Sequence, residues 1–137
     1  MQPLTAADPH QVGPYLLEGR LGGGGMGQVY LGRSRGGRRV AVKVIHPQFA
    51  AEPDFRGRFR REVELAMKVG GFWTAALVDS DPEAAEPWVA SEYVPGPTLR
   101  QRIVADGPLG LGPLRELAVG LAEAVAAVHR GGWCIGI

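Results

Sequence analysis

Five glycines within six positions are the residues whose type and spacing most clearly suggest chemistry. The segment Gly22-Gly23-Gly24-Gly25-Met26-Gly27 contains the pattern Gly22-x-Gly24-x-x-Gly27-x-Val29. Because glycine has no Cβ, backbone N–H groups in such a segment can approach phosphate oxygens closely. The following residues alternate as in a strand, whereas the glycines of a dinucleotide-binding fold open a helix. We therefore predict a glycine-rich hairpin over phosphates. The glycines alone leave a loose hairpin without a ligand as the alternative.

Two ionisable residues of opposite charge are candidates for the same site. Lys43 lies in a predicted strand whose valines take one face, so Lys43 and Ala41 share the other face. Glu62 falls beside Ala66 on the apolar face of a predicted helix, where an ionised carboxylate is costly unless it is paired. We predict an inward Lys43–Glu62 ion pair, with the lysine also free to donate to phosphate oxygens. Taken alone, Lys43 could instead extend to solvent.

The elements that must position these residues follow from hydrophobic periodicity. Strands are predicted at 15–17, 27–31, 39–45, 75–78 and 88–93, and an amphipathic helix is predicted at 54–69. A short helix capped by Thr98 runs to Val104, and a long helix starts at Gly112. The order of these elements predicts an α+β fold with a five-stranded antiparallel sheet and one long helix, followed by further helices.

Composition excludes several classes of protein. Lys and Arg total 15 and Asp and Glu total 14, so a formal net charge of +1 argues against nucleic-acid binding. The longest apolar stretch is too short to span a bilayer. One cysteine excludes an intrachain disulfide and fits a reducing cytoplasm, which is the expected location. Three histidines far apart in the chain give no metal-ligand spacing, so no metal site is predicted.

In combination, these motifs resemble the N-terminal lobe of a bacterial, actinobacterial-type, eukaryotic-like serine/threonine protein kinase. The glycine pattern with Val29 matches the family's glycine-rich loop, and Val40-Ala41-Val42-Lys43 matches its lysine strand. Glu62 matches the glutamate of its following helix, and residues 91–96 resemble its gatekeeper and hinge. The resemblance covers roughly Val12 to Arg130.

The resemblance implies a kinase N-lobe that binds ATP, with Mg²⁺ in the intact family, and transfers the γ-phosphoryl group to a protein Ser or Thr. Lys43 would hold the α- and β-phosphates, and backbone groups of Glu92 and Val94 would bond the adenine. Ser91, at the gatekeeper position, would leave an open back pocket. The residues implied to bind ATP are Leu21, Gly22, Gly24, Gly27, Val29, Ala41, Lys43, Ser91, Glu92 and Val94.

The resemblance also divides the chain. Residues 1–12 are expected to be a flexible lead-in, residues 13–94 the N-lobe with the hinge, and residues 95–130 the first two helices of a truncated C-lobe. Residues 131–137 form an anomalous tail. Codons for its last six residues can be read in a second frame as Val-Val-His-Arg-Asp-Leu, the segment that the family has there. A frameshift that truncates a kinase gene is therefore our hypothesis.

The 137 residues contain no His-Arg-Asp catalytic loop and no Asp-Phe-Gly motif. No catalytic or metal-binding residue is therefore predicted, and the chain as written is expected to be inactive in phosphate transfer. The alternatives are a nucleotide-binding pseudokinase or regulatory module, and a non-functional truncated gene product. The resemblance also implies that a full-length protein of this family is often membrane-anchored. Self-association is expected through an exposed apolar helix face, formed by Leu114, Leu117, Leu121 and Val125.

Overall fold

The computed structural model describes residues 1–68 and 74–130. The strands are β1 (Gln11–Val12), β2 (Tyr15–Gly24), β3 (Gly27–Arg33), β4 (Arg39–Ile45), β5 (Leu77–Asp81) and β6 (Trp88–Glu92). The helices are α1 (Pro47–Ala50), α2 (Pro53–Lys68), α3 (Leu99–Asp106) and α4 (Leu111–Arg130). These strands form one antiparallel sheet in the order β1-β2-β3-β4-β6-β5, so the α+β class and the antiparallel sheet are confirmed.

The sheet has one strand more than the five expected, and this strand lies at the end of residues 1–12, the expected lead-in. The additional strand is β1, which has only two residues and therefore no periodicity to detect. The strand expected at 75–78 is observed as β5, which begins two residues later and ends three residues later. Its last three residues, Asp79, Ser80 and Asp81, are polar and therefore give no apolar pattern that predicts a strand. Val69, the expected end of α2, and the tail at 131–137 lie outside the described residues.

The sheet is strongly curled. Strands β2 and β5 are four positions apart in the sheet, which is about 19 Å in a flat sheet with strands about 4.8 Å apart. The Tyr15 hydroxyl of β2 nevertheless donates to a carboxylate oxygen of Asp79 in β5 at 3.1 Å. The register of β2 against β3 shifts twice, between Leu17 and Gly19 and between Arg20 and Gly22. Such irregularities bend and twist a strand, which allows this curvature.

The hydrophobic core lies on one face of the sheet. Val40, Val42 and Val44 alternate along β4 and are all buried there, together with Trp88 and Ala90 of β6. Fully burying one such aliphatic side chain stabilises the folded state by roughly 1.5–3 kcal/mol relative to leaving it exposed. The valines therefore strongly determine which face of β4 turns inward. The intervening residues of β4, which include Lys43, consequently occupy the opposite face.

Helices α3 and α4 add little to this core. Thr98 and Gln101 form a reciprocal capping box at the start of α3, but no residue of α3 is buried, and the buried residue of α4 is Gly120. Leu114, Leu121 and Val125 are exposed, as the sequence predicts, whereas Leu117 is half-buried. Within the described ranges, none of the helices is both long enough and apolar enough to cross a membrane.

Candidate functional site

Strands β2 and β3 form a long hairpin whose tip carries the glycines. Gly24 pairs with Gly27 across the turn, and the Gln28 side chain donates to the carbonyl oxygen of Gly22 at 2.5 Å. The tip is also attached to the end of β4, since the backbone N–H of His46 donates to the carbonyl oxygen of Met26 at 3.0 Å. Hydrogen bonds on both sides of the turn therefore position the hairpin beside β4.

A cavity of about 560 Å³ lies under this hairpin, and we call it the hairpin cavity. This volume is within the range of about 300–1,000 Å³ that is usual for small-molecule sites. The cavity joins the hairpin to the face of β4 that bears Lys43, since Val29 and Lys43 are partners in the β3–β4 register. Its lining residues are Leu21, Gly22, Gly23, Gly24, Gly25, Met26, Gly27, Val29 and Lys43.

The glycines of the hairpin are present for two different physical reasons. A Cβ on Gly27 would lie 2.2 Å from the carbonyl oxygen of Val44, so packing against β4 requires glycine there. A Cβ on Gly22, Gly24 or Gly25 would meet no atom of the described residues within 4 Å apart from its chain neighbours, and none of these three glycines has a positive φ. Neither internal packing nor backbone conformation therefore explains these three glycines, and what they leave accessible is their backbone.

Lys43 lies at the junction of the hairpin cavity and a second cavity of about 440 Å³, which we call the helix cavity. The lysine is half-buried and Val89 is its partner on β6. The helix cavity lies between β4, the hairpin tip and the helices α1 and α2, and Glu62 of α2 also borders it. Its lining residues are Met26, Lys43, Ile45, Phe49, Glu52, Phe55, Arg58, Phe59 and Glu62.

The expected inward Lys43–Glu62 ion pair is not formed. The ion pairs within the described ranges include neither Lys43 nor Glu62. Glu62 is exposed to solvent. The most buried residue of α2 is its neighbour Val63, about 100° further around the helix. Glu62 therefore lies at the border of the apolar stripe rather than at its centre. It faces Lys43 across the helix cavity.

Arginines at the start of α2 explain where this helix lies. Arg56 donates to four backbone carbonyl oxygens, namely those of Ala50, Pro82, Ala84 and Ala85, at 2.8–3.4 Å. Arg60 forms an ion pair with Glu83 in the same β5–β6 loop. The first half of α2 is thus attached to the β5–β6 loop and to the end of α1.

The four remaining predicted site residues do not line the hairpin cavity. Ala41 and Ser91 are partners across β4 and β6, two positions along the strands from Lys43 and Val89 and on the same face of the sheet. The backbone N–H of Glu92 donates to the carbonyl oxygen of Ala76 at 2.9 Å, and its side chain pairs with Arg38, so an adenine contact would rest on its carbonyl oxygen. Val94 follows β6 and is 71% exposed.

The hairpin cavity is also lined by Gly23, Gly25 and Met26, which are not among the residues implied to bind ATP; of these three, Met26 is the one with a side chain. It borders both cavities because it is at the hairpin tip, and its position between Gly25 and Gly27 is the signal that could have identified it. Within residues 1–68 and 74–130, no group of three or more His, Cys, Asp or Glu side chains could hold a metal ion.

Comparisons with known proteins give close relatives. No protein-family model matches the chain. The chain is 54% identical over 132 residues to the probable serine/threonine-protein kinase PkwA of Thermomonospora curvata, and 51% identical over 129 residues to the serine/threonine-protein kinase AfsK of Streptomyces coelicolor. These matches cover 96% and 94% of this chain but only 18% and 16% of the relatives, so the chain spans about a sixth of their length.

A solved structure shares the fold. The PknI kinase domain of Mycobacterium tuberculosis matches 94% of this chain with a TM-score of 0.78 and 29% identity, and the match covers 54% of that domain. The fold described above is therefore that of a protein-kinase N-lobe followed by the start of the C-lobe. The chain is homologous, over nearly all of its length, to bacterial serine/threonine protein kinases.

Proposed function

We propose that this chain binds ATP in the hairpin cavity and is the nucleotide-binding lobe of a serine/threonine protein kinase. The observation that carries the proposal is the open space beside Gly22, Gly24 and Gly25, whose lack of side chains is not required by any contact within residues 1–68 and 74–130. Backbone N–H groups at such positions can hydrogen-bond phosphate oxygens directly. Lys43 borders the same cavity and supplies the positive charge that phosphates need.

Each residue of the proposed site has a distinct role. Lys43 donates to phosphate oxygens, and its half-buried position strengthens that interaction because the local dielectric constant is lower than in water. Leu21 and Val29 offer apolar surface to the base. By the family resemblance, the Glu92 carbonyl and the Val94 N–H bond the edge of the adenine, while Ala41 and Ser91 border it.

Magnesium does not fit the residues present. The described part of the chain offers no cluster of metal ligands, and the 137 residues contain no Asp-Phe-Gly or His-Arg-Asp motif. We therefore propose that this chain binds ATP without transferring its phosphate. Transfer of the γ-phosphoryl group to a protein Ser or Thr is proposed for a whole kinase that contains such a lobe. The use of ATP fits the cytoplasmic location expected from the sequence.

Replacement of Lys43 tests the proposal, and the chain offers a matched control. Lys43 and Lys68 are its two lysines, and Lys68 is exposed at the end of α2. A hydrogen bond to a charged group contributes about 1.5–3 kcal/mol, so Lys43→Ala is expected to weaken ATP binding roughly 10- to 150-fold. Lys68→Ala is expected to leave binding unchanged. Isothermal titration calorimetry of the 137-residue chain with ATP measures both.

The outcomes distinguish the alternatives. Absence of ATP binding by the wild-type chain would favour the inert gene product, and equal losses in both variants would mean that Lys43 has no specific role. Incorporation of ³²P from ATP into a protein substrate by the 137-residue chain would contradict the expectation that it is inactive.

Self-association through α4 is a further part of the proposal. Leu114, Leu121 and Val125 expose apolar surface on this helix. Contiguous apolar surface favours contact with another molecule, because that contact removes it from water. A second copy of the chain is the proposed partner.

A further inference from the structure

Residues 1–12 form a segment along the free edge of β2, which we call the N-terminal strap. Gln2 and Arg20 exchange two backbone hydrogen bonds, of 2.9 and 2.8 Å, and form an isolated antiparallel bridge. At the other end of the strap, the backbone N–H of Leu17 donates to the carbonyl oxygen of His10, and β1 pairs with the start of β2. The strap is therefore attached to β2 at both of its ends.

Asp8 attaches the middle of the strap by its side chain, which is only 2% exposed. Arg20 donates to both carboxylate oxygens of Asp8, each at 2.7 Å, and the Tyr30 hydroxyl donates at 2.7 Å. Thr5 adds its backbone N–H at 2.7 Å and its hydroxyl at 2.9 Å. A buried carboxylate is stable only when it is paired and hydrogen-bonded, and these five hydrogen bonds satisfy that requirement.

This cluster lies beside the β2–β3 hairpin, next to its glycine-rich tip. Arg20 pairs with Tyr30, and the next pair in the register is Gly22 with Val29, so Leu21 is the additional residue of a bulge. Leu21 lines the hairpin cavity. The backbone of Arg20 is held by the strap, and the side chains of Arg20 and Tyr30 are held by Asp8. All three constraints therefore act on the part of the hairpin that adjoins its glycine-rich tip.

We infer that Asp8 is a positioning residue for the glycine-rich hairpin, acting through Arg20 and Tyr30 on the bulge at Leu21. Without the carboxylate, the strap loses its side-chain attachment and the bulge is free to change its register. The hairpin then opens more often, and the groups that the proposed function assigns to phosphate binding are less well ordered. Only this effect on nucleotide affinity rests on the proposed function, since the effect on hairpin opening does not need a nucleotide.

Hydrogen–deuterium exchange of the 137-residue chain tests the inference without a nucleotide. Asp8→Asn keeps the shape of the side chain but removes its charge. Glu18→Gln is the matched control, because Glu18 lies on β2, the strand that the strap follows, and pairs with Arg33 and Arg39 at the surface. We expect Asp8→Asn to accelerate exchange of the amides at 22–28 at least 5-fold, and Glu18→Gln to change it less than 2-fold.

A second variant tests the inference if Asp8→Asn does not fold. Tyr30→Phe removes one of the five hydrogen bonds to Asp8 and keeps the ring, so a smaller acceleration of about 2- to 5-fold is expected in the same amides. A merely structural role for Asp8 would lower the thermal midpoint and leave exchange at 22–28 unchanged. That result in the folded variants would overturn the inference.

Nucleotide affinity provides the second readout. If the wild-type chain binds ATP, we expect Asp8→Asn to weaken binding about 3- to 10-fold, while Glu18→Gln binds as the wild type does. Faster exchange at 22–28 with unchanged ATP affinity would overturn the link between the strap and the nucleotide. If the wild-type chain does not bind ATP, the proposed function fails, and the exchange result still decides whether Asp8 positions the hairpin.

Discussion

Replacing two glycines of the hairpin by alanine, one at a time, distinguishes a glycine that packing requires from a glycine that ligand binding requires. At Gly27 a Cβ would lie 2.2 Å from the carbonyl oxygen of Val44 and 3.3 Å from the Cα of Ile45. At Gly24 a Cβ would meet nothing within 4 Å, and its φ is not positive. The two replacements add the same methyl group to paired positions of one hairpin, so each is the control for the other.

The expected effects on stability have opposite signs. Overpacking typically costs about 1–3 kcal/mol, and Gly27→Ala is expected near the upper end because backbone atoms cannot rotate away. At about 4 °C per kcal/mol for a chain of this size, the thermal midpoint of Gly27→Ala is expected to fall by roughly 8–12 °C. Gly24→Ala restricts only the unfolded chain, so the free energy of unfolding stays constant or rises by up to about 1 kcal/mol.

The expected effect on ATP affinity runs the other way for Gly24. A methyl group there would stand where phosphate oxygens approach the backbone. Loss of one charge-assisted hydrogen bond, about 1.5 kcal/mol, weakens binding roughly tenfold although the protein is no less stable. Thermal unfolding followed by circular dichroism and calorimetric titration with ATP measure the two quantities on the same samples.

Two results would refute this reasoning. Wild-type ATP affinity in Gly24→Ala would mean that the open space beside this glycine does not receive phosphate. An unchanged thermal midpoint in Gly27→Ala would mean that β4 does not pack against the hairpin as described.

Three further predictions concern stability and assembly. The Arg20 guanidinium holds the pKa of Asp8 well below its usual range, even though burial opposes this shift. Ionised Asp8 therefore stabilises the fold above about pH 4, and this stabilisation is lost as the pH falls. The urea midpoint should therefore drop more between pH 6 and pH 2.5 in the wild type than in Asp8→Asn, and equal drops would contradict the assignment. Arg56→Ala should lower the free energy of unfolding by about 1–3 kcal/mol, because backbone carbonyls lose their donor, while the exposed Arg61→Ala changes it by less than about 0.5 kcal/mol in urea titrations. In sedimentation velocity, the wild type should associate with rising concentration and Leu121→Ser should associate less, and a wild type that stays monomeric would exclude self-association through α4.

Local patterns in the sequence were enough to determine the class of fold and much of the hairpin cavity. The valines of β4 alternate with a period of two, which places Lys43 on the face opposite the core without any knowledge of the neighbouring strands. The glycines and Val29 lie within eight residues of one another, so a single hairpin brings them together. These features depend on contacts between near neighbours, and residue type and spacing describe such contacts well.

Contacts between distant residues were decided only by the tertiary structure. Glu62 lies at the edge of its helix's apolar stripe, and Arg56 attaches that helix to carbonyl oxygens of the β5–β6 loop about 26 to 28 positions away. Asp8 is buried because Tyr30, 22 positions away, and Arg20 converge on it once the strap lies along β2. No local pattern encodes such partners, since the cost of burying a carboxylate is removed only after the chain has folded back on itself.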